Sequence, residues 1–170
     1  MIRLIKNLIF LCFIFFVGYI FGVKEVRFVE IISSSMEPTL KPRDRVVVVK
    51  KDVLKRYDIV IIDAPKGKKE ILTKRIIGLP SETIEVKDGD VYINGEKLNE
   101  PYIKEQPDYE LLKEKIPEGS YFLLGDNRNK SEDSSVWGPV DGSFIRGRVV
   151  CKYWPFKEFS LLKTPHIFKR

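Results

Sequence analysis

Thr83-Ile84-Glu85-Val86-Lys87-Asp88-Gly89-Asp90-Val91-Tyr92-Ile93-Asn94-Gly95 decides the fold class. Two short runs of strand-forming residues, Thr83–Val86 and Val91–Ile93, are separated by Asp88-Gly89 and followed by Asn94-Gly95. Asp-Gly and Asn-Gly tolerate the positive φ angles of two-residue hairpin turns, so the stretch predicts a tight antiparallel meander. Working outward, Arg45–Lys50 and Asp58–Asp63 are Val/Ile runs suited to buried strands. Ala64–Lys69 carries the Pro and Gly of a turn, and Glu70–Gly78 reads as a returning strand broken at Leu79-Pro80. Tyr121–Leu124 and Arg148–Trp154 are the last clear strands. Between Asn99 and Glu118 the period of two fades, and Asp108–Lys115 predicts a short helix capped by Asp108. Strands joined by hairpin turns, with almost no amphipathic helix and no internal repeat, predict a mainly β domain built on antiparallel sheet.

A different texture precedes this domain. Leu8 to Val23 is an uncharged run of Leu, Ile, Phe and Val, flanked by Arg3 and Lys6 before it and by Lys24 and Arg27 after it. Its length is at the short edge of the ~17–25 residues that span a bilayer, with Ile5, Val26 and Phe28 extending it. No small-x-small site follows, so an uncleaved anchor is favoured over a removed leader. The basic residues ahead of the run place the N-terminus in the cytoplasm and the remaining chain outside. The expected organisation is an anchor over 1–26 and an extracytoplasmic domain over 27–170, with 88–118 as a small inserted unit.

The rare residues narrow the chemistry. With 170 residues the chain has room for one anchor and one compact domain. The formal charge of +6 is spread along the sequence, and nucleic-acid-binding spacings are absent. The single histidine, His166, lies four residues from the end, a poor basis for a Ser-His-Asp triad. Cys12 and Cys151 make neither a disulfide framework nor a metal cluster. Chemistry must therefore come from Ser, Lys, Asp or Glu.

Three constellations supply such groups. The first is Ile31-Ile32-Ser33-Ser34-Ser35-Met36-Glu37-Pro38-Thr39-Leu40, just past the apolar run. Alone, the serines read as a polar loop, because a serine hydroxyl is a weak nucleophile without a base within ~3 Å. The second is Leu72-Thr73-Lys74-Arg75-Ile76-Ile77-Gly78. Neighbouring strand residues point to opposite faces, so one of Lys74 and Arg75 is expected to face inward. Lysine can lose its charge by desolvation and arginine cannot; bringing a lysine from ~10.4 to near 7 costs about 4–5 kcal/mol. A neutral Lys74 amine can take a serine proton and later deliver it to a leaving amine. A snorkelling Lys74 at a strand edge is the bland alternative. The third is Gly125-Asp126-Asn127-Arg128-Asn129-Lys130-Ser131-Glu132-Asp133-Ser134-Ser135-Val136-Trp137-Gly138, a loop whose spacing does not fit a calcium-binding loop.

Taken in order behind an anchor, Ser-x-Ser-Met-x-Pro-Thr-Leu, Lys-Arg-x-x-Gly-x-Pro and Gly-Asp-Asn-Arg-x-x-Ser-x-Asp-Ser resemble the type I signal peptidase family. Arg56-Tyr57-Asp58-Ile59-Val60 is similar to a further family strand, so the resemblance covers nearly the whole chain. It implies a membrane-bound serine endopeptidase with a Ser/Lys dyad. Ser35 matches the nucleophile and Lys74 the general base. Ser33 matches the hydroxyl that joins the backbone N–H of the nucleophile in the oxyanion hole, and Ser131 the group that orients the lysine amine. Asp133 matches an acid supporting that loop; Asp126 and Arg75 match a structural ion pair. Ile32, Met36 and the strand around Ile71–Thr73 are taken as pocket-lining residues. The sequence departs from the pattern at Ser34 and Tyr57, where Gly is usual, and at Ser135, where a basic partner for Asp133 is common.

The implied partners are signal-peptide-bearing precursors and the lipid bilayer, with no nucleic acid, metal or cofactor; the chain is expected to be a monomer in the plasma membrane. A self-cleaving repressor would carry a DNA-binding domain in place of the apolar run. A peptidase specialised for one secreted protein is hardly separable by sequence. An inactive tethered peptide-binding module has no need of a desolvated lysine.

Overall fold

The computed structural model describes residues 10–15, 25–50, 53–65 and 70–162. Twelve strands appear among them: β1 (Val26–Glu30), β2 (Arg45–Val49), β3 (Ile59–Asp63), β4 (Ile71–Gly78), β5 (Thr83–Lys87), β6 (Asp90–Ile93), β7 (Glu96–Lys97), β8 (Leu111–Lys115), β9 (Ser120–Leu124), β10 (Val140–Asp141), β11 (Ile145–Trp154) and β12 (Ser160–Leu161). They form two sheets. The larger runs β1-β2-β11-β3-β4-β9-β10, with β12 added to β11, and the smaller runs β7-β6-β5-β8. Every pairing is antiparallel, as the hairpin turns predict.

The expected meander is present. Asp88 and Gly89 have φ of 52° and 77°, and Asn94 and Gly95 have 53° and 81°, the positive values that these turns need. The continuous Val/Ile run of β3 reflects cover on both faces. Ile59 and Ile61 pack with Ile31, Met36, Leu40, Val46, Val48 and Val149. Val60 and Ile62 join Ile76, Leu123 and Val140 on the other side. A third cluster, in which Ile77, Phe122 and Leu124 meet Ile84, Val86, Val91, Ile93 and Ile116, docks the small sheet onto the large one.

Three expectations change. The helix expected over Asp108–Lys115 is instead the strand β8, paired with β5. A bulge sets Leu112 and Lys113 against Glu85 alone, between the pairs Ile84↔Glu114 and Val86↔Leu111. That extra residue destroys the period of two that would betray a strand. Second, β1 begins at Val26, paired with Val49, so the boundary between 26 and 27 falls inside a strand and Val26 and Phe28 belong to the sheet. Third, the small sheet starts at Thr83, before the expected inserted unit 88–118.

Residues 10–15 are helical. The rest of the apolar run 8–23, residues 66–69 of the expected turn and residues 163–170, which include His166, lie outside the described residues. Among the described residues no helix is long and apolar enough to cross a membrane.

The join between the sheets is tight at Gly78, where β4 slips register against β9. A Cβ there would lie 2.2 Å from Ile116 Cδ1 and 3.0 Å from Phe122 Cβ. Gly78→Val is expected to destabilise the protein by about 1–3 kcal/mol through overpacking. Denaturant unfolding of the full chain in detergent checks this; an unchanged midpoint would mean that the joint is looser than the geometry says.

Candidate active site

The serine segment leaves β1 and folds into a tight turn. Glu37 N donates to Ser34 O (3.1 Å) and Leu40 N to Met36 O (2.9 Å). Met36 and Leu40 are wholly buried in the core, so the turn is pinned from beneath. This holds Ser35 over β4. In the β3–β4 register Lys74 stands directly opposite Val60 and shares its face with Leu72 and Ile76. From there Lys74 Nζ donates to Ser35 Oγ at 3.0 Å. Ser35 is only 4% exposed and Lys74 2%.

Arg75, on the opposite face, is buried as well. Only one of the pair was expected to point inward; both do, because β4 is covered on each side. The two cations meet different solutions. Arg75 keeps its charge beside a carboxylate, donating from Nε to Asp126 Oδ1 (2.7 Å) and from Nη2 to Asp126 Oδ2 (2.5 Å). Its Nη1 donates to Tyr57 O (3.0 Å), and its guanidinium lies 4.1 Å from the centroid of the Tyr102 ring. Among the described residues no carboxylate is in hydrogen-bond contact with Lys74, whose amine meets Ser35 Oγ. Burial lowers its pKa from 10.5 to about 8, while the charges of Asp133 and Glu132 oppose the shift.

The loop after β9 supplies the other expected residues. Asp133 is fully buried and caps the one-turn helix Ser134–Trp137. Its Oδ1 accepts from Ser135 N (3.1 Å) and Ser135 Oγ (2.8 Å), and its Oδ2 from Gly125 N (2.9 Å). The neutral Ser135 thus serves where a cation was the usual partner. Ser131 Oγ is buried without a hydrogen-bond partner, so the expected bond to the lysine amine is not made in this arrangement. Ser33 Oγ accepts the Ser35 backbone N–H at 3.1 Å, which brings together the two groups expected at an oxyanion hole.

Beside Ser35 lies a cleft of about 150 Å³ lined by Val29, Glu30, Ile31, Ile32, Ser33, Ile71, Leu72 and Thr73. Ile32, 89% exposed, lies at its rim, whereas Met36 belongs to the core and does not line the cleft. Two sheet edges meet there. Among the described residues β1 pairs only with β2, and β9 pairs with β4 only from Arg75 onward, so no described strand pairs with Ile71–Thr73 on the side away from β3.

Several site residues carried no assigned role in the sequence reading. Thr39 Oγ1 donates to Asp126 Oδ2 (2.5 Å). Asn127 holds the serine turn, its N donating to Ser35 O (3.0 Å) and its Nδ2 to Ser34 O (3.2 Å). Gly125 admits both neighbours, since a Cβ would lie 2.3 Å from Ser131 Oγ and 2.5 Å from Ser35 O. All three sit inside the quoted motifs, which was their signal. Glu100 and Tyr102 come from the stretch where periodicity fades, and nothing marked them. Among the described residues no cluster of His, Cys, Asp or Glu suits a metal ion.

The family model "Signal peptidase, peptidase S26" matches residues 1–154. The chain belongs to this family. Signal peptidase I of Leptolyngbya laminosa is 41% identical over 154 residues, covering 84% of this chain and 75% of that protein. Signal peptidase IB of Staphylococcus aureus (strain MRSA252) is 33% identical over 185 aligned residues and covers 96% of both. The crystal structure of a signal peptidase I from Enterococcus faecalis V583 superposes with a TM-score of 0.52 at 33% identity, covering 57% of this chain and 97% of that one. The mainly β, antiparallel architecture is thus that of signal peptidase I. Where the family resemblance leads one to expect Gly, Tyr57 adopts φ of +71°. Its N donates to Ile76 O (2.7 Å) and its ring meets Tyr102 edge-on, which hold the strained backbone in place.

The buried lysine has a measurable cost. At ~1.36 kcal/mol per pH unit, a pKa of about 8 instead of 10.5 costs the fold roughly 3 kcal/mol at neutral pH. The native state releases this proton at lower pH than the unfolded chain, so the cost is fully present below pH 8 and fades toward 10.5. Lys74→Met is expected to raise the unfolding free energy by about 1–3 kcal/mol at pH 7, with little gain left at pH 10.5. An equal gain at both pH values would contradict a desolvated amine.

Proposed function

We propose that the chain is a membrane-anchored serine endopeptidase that removes N-terminal signal peptides from exported precursor proteins, with Ser35 as nucleophile and neutral Lys74 as general base. One observation carries this reading: a buried lysine amine, lowered to about 8, lies 3.0 Å from a buried serine hydroxyl at the end of an open cleft. The names of the relatives, all signal peptidases, support the substrate class. The apolar run at residues 8–23 supplies the anchor and keeps the domain at the membrane surface, next to the place where a precursor chain emerges.

The precursor enters the cleft as an extended strand and pairs with the free edges of β1 and β4. The neutral Lys74 amine accepts the Ser35 hydroxyl proton through the same 3.0 Å contact, now with the hydroxyl as donor. Ser35 Oγ bonds to the scissile carbonyl carbon, and the oxyanion forms near the Ser35 N–H and the Ser33 hydroxyl. For this the N–H leaves Ser33 Oγ, and the hydroxyl turns to donate. The C–N bond then breaks, the Lys74 ammonium protonates the departing amine, and an acyl ester remains on Ser35. Lys74, neutral again, takes a proton from water as the water attacks the ester, and the returning proton frees Ser35. Ser131 Oγ accepts from the ammonium once it forms, a role supported by its being buried and unpartnered and by Gly125 lying against both it and Ser35 O.

Ser35→Ala and Lys74→Ala are each expected to abolish cleavage of a signal-bearing membrane precursor, with the precursor still bound. Mass spectrometry of the new N-terminus provides the assay, and wild-type-like cleavage by either variant would end the dyad assignment. The rate of the native enzyme should rise with pH through about 8, because the base is active only after losing its proton. A profile flat from pH 6 to 10 would count against a lysine base.

A further inference from the structure

The segment between β7 and β8 reaches back from the small sheet to the loop after β9 at two points and to β4 at a third. Glu100 takes both ends of the Arg128 guanidinium, with Nη1 to Oε2 at 2.9 Å and Nη2 to Oε1 at 2.6 Å. Tyr102 donates its hydroxyl to Glu100 Oε1 (2.7 Å) and sets its ring against Arg75. Lys104 N donates to Asp126 O (3.0 Å). Burial and the neighbouring Glu100 push the Tyr102 phenol well above its usual range, so it remains a donor at every working pH. Arg128 also donates from Nε to Gly125 O (3.2 Å). The contacts close a ring: Gly125, Arg128, Glu100, Tyr102, Arg75, Asp126 and back to Gly125.

This ring encloses the residues that hold the serine. Asn127, between Asp126 and Arg128, donates to both Ser35 O and Ser34 O. Gly125 lies against Ser35 O and Ser131 Oγ closely enough to forbid a Cβ. Neither Glu100 nor Arg128 contacts the dyad. Burying an ion pair is costly, and apolar replacements of similar volume are often neutral or stabilising. What an apolar pair does not give is a fixed, two-pronged geometry at one point of the loop.

We propose that Glu100 and Arg128 act as one unit to position the Ser35–Lys74 pair, fixing the backbone of residues 125–127 so that Ser35 Oγ stays within hydrogen-bond reach of the lysine amine. The proposal rests on the dyad reading above. Releasing the clamp lets the 125–127 backbone drift, the Ser35 turn follow it, and water reach an amine now buried against Ser35 on a face shared with Val60, Leu72 and Ile76, with Asp133 and Glu132 as its charged neighbours. Substrate binding, which uses the edges of β1 and β4, is left largely intact.

The test compares Glu100→Gln, Arg128→Met and the double variant with the native full chain in detergent. Each single variant should lose kcat by about tenfold or more with KM little changed, as expected when an interaction made in the transition state is weakened. The double variant should be no worse than the worse single one, because the two residues act as one unit. The double variant is also expected to be more stable than either single variant, since it buries no lone charge. Glu82→Gln is the structural control. It breaks the partly buried ion pair with Arg56 that ties the other end of the small sheet, and should lower stability without moving kcat.

A second readout does not require turnover. The Lys74 amine can be titrated by NMR in chains labelled with 15N-lysine, its signal assigned by its loss in Lys74→Met. Its midpoint should move upward toward that of an ordinary lysine in the clamp variants and stay put in Glu82→Gln. Folded clamp variants with native kcat and an unmoved lysine midpoint would overturn the proposal, as would loss of activity only in proportion to unfolded protein. If the native enzyme cuts no precursor, the proposed function fails, and the lysine titration still decides the positioning role.

Discussion

Hiding the charge of one lysine is the constraint to which the rest of the site answers. An ammonium leaves water only if it gives up its proton or gains a partner, and among the described residues the one hydrogen bond of the Lys74 amine is to the Ser35 hydroxyl. β4 must therefore be covered on the Lys74 face, where the serine turn lies over the amine and Val60 and Ile76 pack with Leu123 and Val140 beside it. Covering the strand on its other face as well traps Arg75, which can never become neutral and so requires Asp126. Two adjacent basic residues on one strand thus demand opposite remedies. The double-faced core exists in part to provide both.

The carboxylates show the same logic. Asp133 stands close enough to raise the lysine, yet its oxygens are occupied by Ser135 and by the Gly125 N–H. Neutral donors satisfy the anion without cancelling it. A cation at position 135 would remove more of its field and let the amine fall further. The level at which Lys74 settles therefore reflects the local choice of Ser135 as well as depth of burial.

Much of this was legible in the sequence, for identifiable reasons. The Asp88-Gly89 and Asn94-Gly95 turns carry their backbone requirement in their side chains, and β3 shows two-sided burial as an unbroken Val/Ile run. The Ser35–Lys74 contact was legible because serine and lysine sit in motifs with little structural excuse. β8 was not, since its bulge erases the alternation that defines a strand, and β1 was masked by its resemblance to the apolar run before it. Met36 looked like a pocket residue by its place in the motif, but its neighbours Ile31 and Leu40 draw it into the core. Glu100 and Tyr102 act through contacts with Arg128 and Arg75, 28 and 27 positions away in the chain, beyond the reach of local pattern.

The two free edges beside Ser35 carry a consequence for what can be cut. An edge strand offers backbone donors and acceptors and nothing else in common to every peptide. A helical segment has already used its own backbone groups, and a strand inside a folded domain has used them on its neighbours. Only a chain that is locally unfolded has them to offer. On the proposed reading, the cleft between β1 and β4 tests conformation before it tests side chains, and a precursor qualifies first by being unfinished.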